Sequence, residues 1–384
     1  MDQLDTFRRI AEVLRSAQRT AIEVENAPDK RKRLRSFSVQ EAAALIGVTP
    51  TQLRRTAGLA PRGGGITPRA RVEFAEILEA RQALGKLPRR DAARGEGLAT
   101  VVFTNFKGGS AKTTSSVHFA QYLALAGFRV LLVDLDSQAS ATAQFGLDPA
   151  HEISAEKCFL AWLKREGEGA ALAQRLCQPT YWPGIDLLPA GAALAEAEEL
   201  LAARAASGAV EDPLYFDELA ALLAATGDRY DIVVVDTRPD VNMLMTAALH
   251  AATGIVVPTR ATMTDLASTG EFFAHLAGYA GDFRAAFGQG LDFAFSRILV
   301  TAFDPTDRSQ EALLGLLRER FGEAVLGDPF LHSRIMGTAG FGKETLYEYE
   351  PSTDRAAYNR VIASANAVNR AILGQVLQHW GRAA

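Results

Sequence analysis

Residues 103–127 read FTNFKGGSAKTTSSVHFAQYLALAG, and this stretch decides the fold. The apolar run Thr100 to Phe103 predicts a buried strand leading into it. A tight loop follows, Lys107-Gly108-Gly109-Ser110-Ala111-Lys112, and Thr113 and Thr114 then open an amphipathic helix. Paired glycines let backbone N–H groups approach an anion closely, and the helix N-terminus adds partial positive charge. Lys112 can reach terminal phosphates, and the Thr113 hydroxyl can ligate Mg²⁺. Strand, glycine turn, lysine, hydroxyl and helix together predict a phosphate cradle over Lys107, Gly108, Gly109, Ser110, Ala111, Lys112, Thr113 and Thr114.

Outward from the loop, strands alternate with helices from Leu98 onward, the pattern of a parallel sheet with crossover helices. Strands are predicted at 99–105, 129–134, 185–189, 231–236, 254–258 and 296–303. Helices are predicted near 113–126, 192–206, 213–225, 242–252, 264–279 and 308–321. Ligands of such sheets bind beyond the carboxyl ends of the strands, and acidic residues arrive there by sequence order. VLLVDLDSQAS (130–140) ends an apolar run in Asp134 and Asp136, and YDIVVVDTRPD (230–240) ends one in Asp236. An apolar run closed by an aspartate is the Walker B arrangement, which puts an oxygen acceptor beside a hard cation that keeps its waters. Thr113 and Asp236 are therefore the expected Mg²⁺ residues. Residues 150–183 read as mostly helical, hold both cysteines and two tryptophans, and suggest no chemistry.

The strict pattern GxxxxGK[ST] is not met, because Phe106 and Ala111 stand at its two glycine positions. What stands instead is KGGxxKTT, with an extra lysine five residues before the usual one. This resembles the deviant Walker A box of the ParA/MinD ATPases, in the spelling of the ParA and RepA partition proteins of low-copy plasmids and secondary chromosomes. LVTAFDPTDRSQ (299–310), TLYEYEP (345–351) and the closing helix DRAAYNRVIASANAVNRAILGQVLQHW (354–380) are similar to segments of the same group, so the resemblance covers most of 36–380. It implies an α/β P-loop NTPase of ATP and Mg²⁺, with a mostly parallel sheet flanked by helices. It further implies that Lys107, Lys112 and Asp136 carry catalysis. Asp136 would orient the attacking water, Asp134 would be structural, and Lys107 would reach across a sandwich homodimer to the other subunit's phosphates. Where the family more often has Cys/Ala-Pro-Pro, this chain has Thr237-Arg238-Pro239-Asp240 after Asp236, and Ser137 replaces a common proline.

The 384 residues suffice for roughly two or three domains, and a hydrophobic content of 48% supports a sizeable core. Two cysteines, Cys158 and Cys177, form neither a metal-ligand spacing nor a disulfide framework, which favours a reducing compartment. The charged N-terminus is no signal peptide, and no stretch reaches the ~18 apolar residues of a spanning helix. A cytoplasmic, nucleoid-associated protein without membrane attachment is expected. The net charge of −4 hides an asymmetry: residues 30–94 hold 15 Lys/Arg against 5 Asp/Glu. A basic segment on an acidic body points to an anionic partner, nucleic acid first.

That basic segment has its own organisation. Residues 2–25 carry apolar positions at helical spacing, and 1–28 is read as a helix that either contacts a second subunit or packs on its own chain. Residues 30–84 read as an all-α winged helix-turn-helix module. Ser38 and Glu41 form a capping box, Gly47 makes the turn, and Thr49-Pro50 opens a short helix bearing Arg54 and Arg55. Pro61 to Ile66 is the expected wing and 67–84 a supporting helix. Residues 85–97 read as an exposed linker to the ATPase domain, 98–384. The longer relatives bind their own promoter through this module, so Arg54 and Arg55 are the expected operator contacts. The resemblance also implies a ParB-like centromere-binding partner and non-specific DNA contacts near the C-terminus, with Arg334, Lys343, Arg355, Arg360 and Arg370 as candidates. His118 and His250 are expected as packed histidines. Two other functions stay open: an ATP-responsive transcriptional regulator, and a relative that positions a protein cargo. A MinD-like membrane helix is disfavoured by the weakly basic tail.

Overall fold

The computed structural model describes residues 9, 13, 32–56, 71–207, 213–336, 344–351 and 354–383. The expected wing, most of the helix expected over 2–25, and Lys343 lie outside the described residues.

The sheet is built from β3 (Ala99–Phe103), β4 (Val130–Leu135), β5 (Gln178–Pro179), β6 (Ile185–Leu188), β7 (Ile232–Thr237), β8 (Gly254–Arg260) and β9 (Phe295–Thr301). Its order is β5-β6-β4-β7-β3-β8-β9. All neighbours run parallel except β5, which pairs antiparallel with β6 at the edge. The inner strands are continuously apolar because both faces are covered. Alternation then divides the core. Val101, Phe103, Val130, Leu132, Ile232 and Val234 face one cluster, and Val102, Leu131, Val133, Val233 and Val235 face the other.

The first cluster is closed by α4 (Lys112–Ala126), by the long C-terminal helix α13 (Arg355–His379) and by the N-terminal module. The second is closed by α6 (Phe159–Leu163), α7 (Gly169–Leu176), α8 (Leu194–Ser207), α9 (Glu218–Ala225), α10 (Met243–Ala251) and α11 (Met263–Phe287). α5 (Ser140–Gln144) follows the aspartate loop, and α12 (Arg308–Phe321) packs beside β9. Two helix bounds in the sheet domain move by more than two residues. The helix expected over 213–225 begins at Glu218, and that expected over 264–279 runs on to Phe287, where Gly288 closes it in a left-handed cap. The 150–183 segment is two short helices with an edge strand. Cys158 and Cys177 are both buried and unpaired, and burial pushes the Cys177 thiol up to about 12.

Ahead of the sheet, α1 (Val39–Ile46) and α2 (Pro50–Arg55) meet at Gly47, whose φ of 70° suits a glycine. The capping box forms as predicted, with Glu41 N donating to Ser38 and Ser38 N donating to Glu41. The module is not all-α as expected: β1 (Phe37–Ser38) pairs antiparallel with β2 (Arg71–Val72), so the supporting helix expected over 67–84 begins only after that strand, as α3 (Phe74–Ala83). This module is not tethered loosely. The Phe74 ring lies edge-on to buried Trp182 with centroids 6.4 Å apart, and Arg81 Nη2 donates to Leu125 O at 2.9 Å.

The following stretch, 85–97, is only partly the exposed linker expected from its glycines and charges. Arg89 Nη1 donates to Gly127 O at 2.9 Å and to the Asp231 carboxylate at 3.1 Å, and Arg90 Nε donates to Tyr230 O at 2.9 Å. Glu96 is buried in an ion pair with Arg382, and Trp380 Nε1 donates to Gly97 O. Burial raises the Asp231 carboxyl, but hydrogen bonds and charge from Arg129, with Arg89 adding to them, outweigh it and hold the group below the ordinary carboxylate range. Arginines that look like solvated linker charges in sequence are here pinned to the amino-terminal edge of the sheet.

His118 on α4 is a packed histidine. Its Nε2 accepts from Leu346 N at 3.2 Å, so the ring proton sits on Nδ1, 2.6 Å from Thr114 O. Burial drives its pKa down to about 4. The unfolded chain therefore takes up the proton first as pH falls. Stability is complete above about pH 6.5 and declines by about 3 kcal/mol towards pH 4. Urea midpoints measured across that window should fall steeply. In His118→Asn they should start lower at pH 7 and decline less; an unchanged slope would refute the assignment.

Candidate nucleotide site

The site assembles at the carboxyl ends of β4, β7, β3 and β8. Pairing sets Phe103 opposite Asp236 and Asp134 opposite Asp236, so the aspartates at the ends of β4 and β7 stand side by side next to the strand that feeds the loop. Thr113, in the first turn of α4, donates its hydroxyl to Asp236 Oδ2 at 2.6 Å. Among the described residues Asp236 Oδ1 is buried without a hydrogen-bond partner. Burial first, then the neighbouring Asp134 carboxylate, pushes the Asp236 carboxyl up, to about 8.

The loop itself is held from several sides. Gly109 (φ 73°) and Ala111 (φ 66°) both take left-handed backbone, which turns successive N–H groups inward. For alanine this conformation costs about 1–2 kcal/mol, so the residue that departs from the family glycine keeps the glycine's shape under strain. Phe106, at the other missing glycine, packs edge-on to Phe272 with centroids 5.0 Å apart and to His275 at 5.5 Å. Its side chain anchors the loop where a glycine would leave it free. Asn105 donates to Pro258 O, and Thr301 Oγ1 donates to Ser110 O at 2.9 Å. Lys112 Nζ donates to Lys107 O at 2.9 Å, and burial lowers its pKa to about 8 against the pull of Asp236 and Asp136.

The two aspartates of the DxD box have different surroundings. Asp134 is fully buried and already engaged, accepting from Asp136 N at 3.1 Å and from Thr142 N and Oγ1 at 2.9 and 2.8 Å. Asp136 is buried too, at 8% exposure, and accepts from Gln138 N at 2.9 Å through one oxygen. Lys107, Gly108–Thr114, Asp136 and Asp236 are thus brought together. The proposed nucleic-acid residues are not part of this cluster. Arg54 and Arg55 are exposed on α2, and Arg355, Arg360 and Arg370 are exposed on α13 within an arc of roughly 140°. Arg334 is exposed too. Arg260, the last residue of β8, also lies against the loop, its Nη2 3.5 Å from where a Cβ on Gly109 would stand. Its signal was positional: it closes an apolar strand run as Asp134 and Asp236 do.

Mg²⁺ fits the donors present. The unpartnered Asp236 oxygen and the Thr113 hydroxyl are hard oxygen ligands, and a divalent cation would offset the burial that disfavours the Asp236 carboxylate.

Comparisons with known proteins agree with this geometry. A protein-family profile described as an AAA domain matches residues 98–277. The chain is 34% identical over 370 residues to the putative replication protein A of Sinorhizobium fredii, covering 92% of this chain and 89% of that one. It is 32% identical to the chromosome-partitioning ATPase Soj of Thermus thermophilus, over 68% of this chain and 92% of Soj. Among solved structures, one described as a partition protein superposes with a TM-score of 0.67 at 15% identity, over 99% of both chains. No helix among the described residues is long and apolar enough to cross a membrane. With its displaced loop lysine, paired strand-end aspartates and these relatives, the chain belongs to the ParA/MinD family of partition ATPases.

Proposed function

We propose that this chain hydrolyses ATP to drive partition of a plasmid or chromosome, cycling between a nucleotide-bound homodimer that holds DNA and a released form. The observation that carries the reading is the Thr113–Asp236 hydrogen bond beneath a left-handed glycine loop closed by Lys112. In this reading the loop N–H groups and Lys112 bind the phosphates. Thr113 and Asp236 hold Mg²⁺, which when bound neutralises charge developing on the transferred phosphoryl group. Asp136 keeps one oxygen for a water to be lined up against the terminal phosphate. The Lys107 ammonium serves the partner subunit's phosphates as an arginine finger does.

Partition further requires that the dimer grip DNA through phosphate contacts and that a ParB-like centromere-binding protein speed hydrolysis. The three exposed arginines on one side of α13 supply the cationic face for those contacts. Affinity for random duplex should require ATP and fall steeply with salt. Replacing Arg355, Arg360 and Arg370 together should flatten the log–log salt slope by about 3, roughly one per cation lost. Binding that needs no nucleotide and ignores salt would refute the partition cycle.

A second reading, an ATP-responsive regulator acting at its own operator, is favoured by the exposed Arg54 and Arg55 on the short helix after the Gly47 turn. It predicts that Arg54→Ala with Arg55→Ala abolishes operator footprints while sparing non-specific binding. A ParB-like protein that leaves ATP turnover unchanged would favour this reading over partition.

A further inference from the structure

We infer that Arg260 is a phosphate-binding residue of the nucleotide site and that it reads the terminal phosphate of a nucleoside triphosphate. This rests on the ATPase reading above and names a residue that the family pattern of the loop does not include. Its guanidinium lies directly against the phosphate loop: Nη2 is 3.5 Å from the point where a Cβ on Gly109 would stand. That is ordinary van der Waals distance, so the guanidinium rests on the loop at Gly109, which takes left-handed backbone there.

The backbone that presents Arg260 is fixed. It pairs with Thr301 across β8 and β9, and the Thr301 hydroxyl shares its one proton between Ser110 O at 2.9 Å and Thr259 O at 3.2 Å. Strand end and phosphate loop are thereby tied together. Ser110 is fully buried in the same loop, and its own hydroxyl has no hydrogen-bond partner.

Charge decides what Arg260 is for. Several arginines with a structural task pair with carboxylates, Arg129 with Asp231, Arg165 and Arg204 with Glu218, Arg229 with Asp186, and Arg382 with Glu96, while buried Arg81 is held by the Leu45 and Leu125 carbonyls. Among the described residues Arg260 forms no such ion pair, and its residue is exposed. An unpaired, planar, permanently charged fork beside inward-turned N–H groups suits a phosphate bound through two oxygens, where a lysine supplies only a point charge. Lys112, by contrast, is buried beneath the loop and bonded to Lys107 O. Arg260 stands on the open side, where a third phosphate would add the charge that distinguishes ATP from ADP.

Calorimetric titration of the full-length chain with Mg²⁺ and either ADP or a slowly hydrolysed ATP analogue tests this. Arg260→Ala should weaken the analogue by about 10- to 100-fold, the range of one charge-assisted contact, and ADP by less than about 3-fold. Arg260→Lys should fall between, retaining charge without the fork. Unchanged affinity for both ligands in Arg260→Ala would overturn the assignment. Equal weakening of both, with a lowered melting temperature, would overturn it too, because that marks a structural role. If the unmodified chain binds neither ligand, the nucleotide reading itself fails, and this inference with it.

Discussion

Lys112→Ala should lower ATP affinity by about 100-fold, whereas Lys107→Ala should leave affinity within about 3-fold and still abolish turnover. The two lysines bracket the loop, but the fold uses them differently. Lys112 is buried, and its ammonium is the cation supplied from beneath the phosphate cradle. Removing it leaves the phosphates without that charge and the Lys107 carbonyl without its donor. What Lys107 gives its own loop is backbone: its carbonyl accepts from Lys112, and its N–H lies 3.4 Å from Asn105 Oδ1. Alanine at 107 preserves both. Its side chain is the part expected to act on a second subunit's nucleotide, where loss of an arginine-finger equivalent costs about 10³-fold or more in turnover. Equilibrium binding of a fluorescent nucleotide, paired with phosphate release, separates the two. Equal loss of binding in both variants would end this division of labour.

Glu218→Ala should destabilise the protein by about 3–5 kcal/mol. Glu218 is fully buried at the start of α9, and four donors from three side chains converge on it. Arg165 forks onto both of its oxygens at 2.9 and 2.7 Å, Trp162 Nε1 donates at 2.9 Å, and Arg204 closes the set. The carboxylate thereby joins the end of α6, the end of α8 and the start of α9 on the face opposite α4. Removing it takes the shared carboxylate away from Arg165, Arg204 and Trp162 at once, which costs more than the pair contributed. Urea unfolding at pH 7 measures the effect; a loss below about 1 kcal/mol would show that this cluster does not hold the three helices together. Nucleotide affinity should be nearly unchanged, since none of these groups touches the loop.

Much of this protein is legible without coordinates because its signals are local. A buried parallel strand has to be apolar throughout, so VLLV and IVVV announce β4 and β7, and the aspartate that closes each is placed at the site by the direction of the chain. Ser38, Glu41, Gly47, Thr49 and Pro50 each act within a few residues along the backbone, and the caps and the turn form where those residues stand. The phosphate loop belongs to the same class: its glycines, Lys112 and Thr113 do their work within one turn of chain.

What the sequence could not show depends on residues far apart in it. Glu218 in an alanine-rich helix carries no sign that Arg165 and Arg204 will meet it, and Arg89 and Arg90 read as solvated charges until Asp231 lies beneath them. Phe106 looks like a defect in a glycine motif, and only Phe272 and His275, more than 160 residues on, show it to be an anchor. Arg260 closes an apolar strand in the sequence, but only the fold brings its guanidinium against Gly109. So KGGSAKTT and the two strand-end aspartates determined the fold and the nucleotide chemistry, because helix caps, buried strands and phosphate loops are short-range devices. Tertiary structure alone decided which charges are paired and which stay free, because an ion pair depends on distance in space and leaves no spacing along the chain.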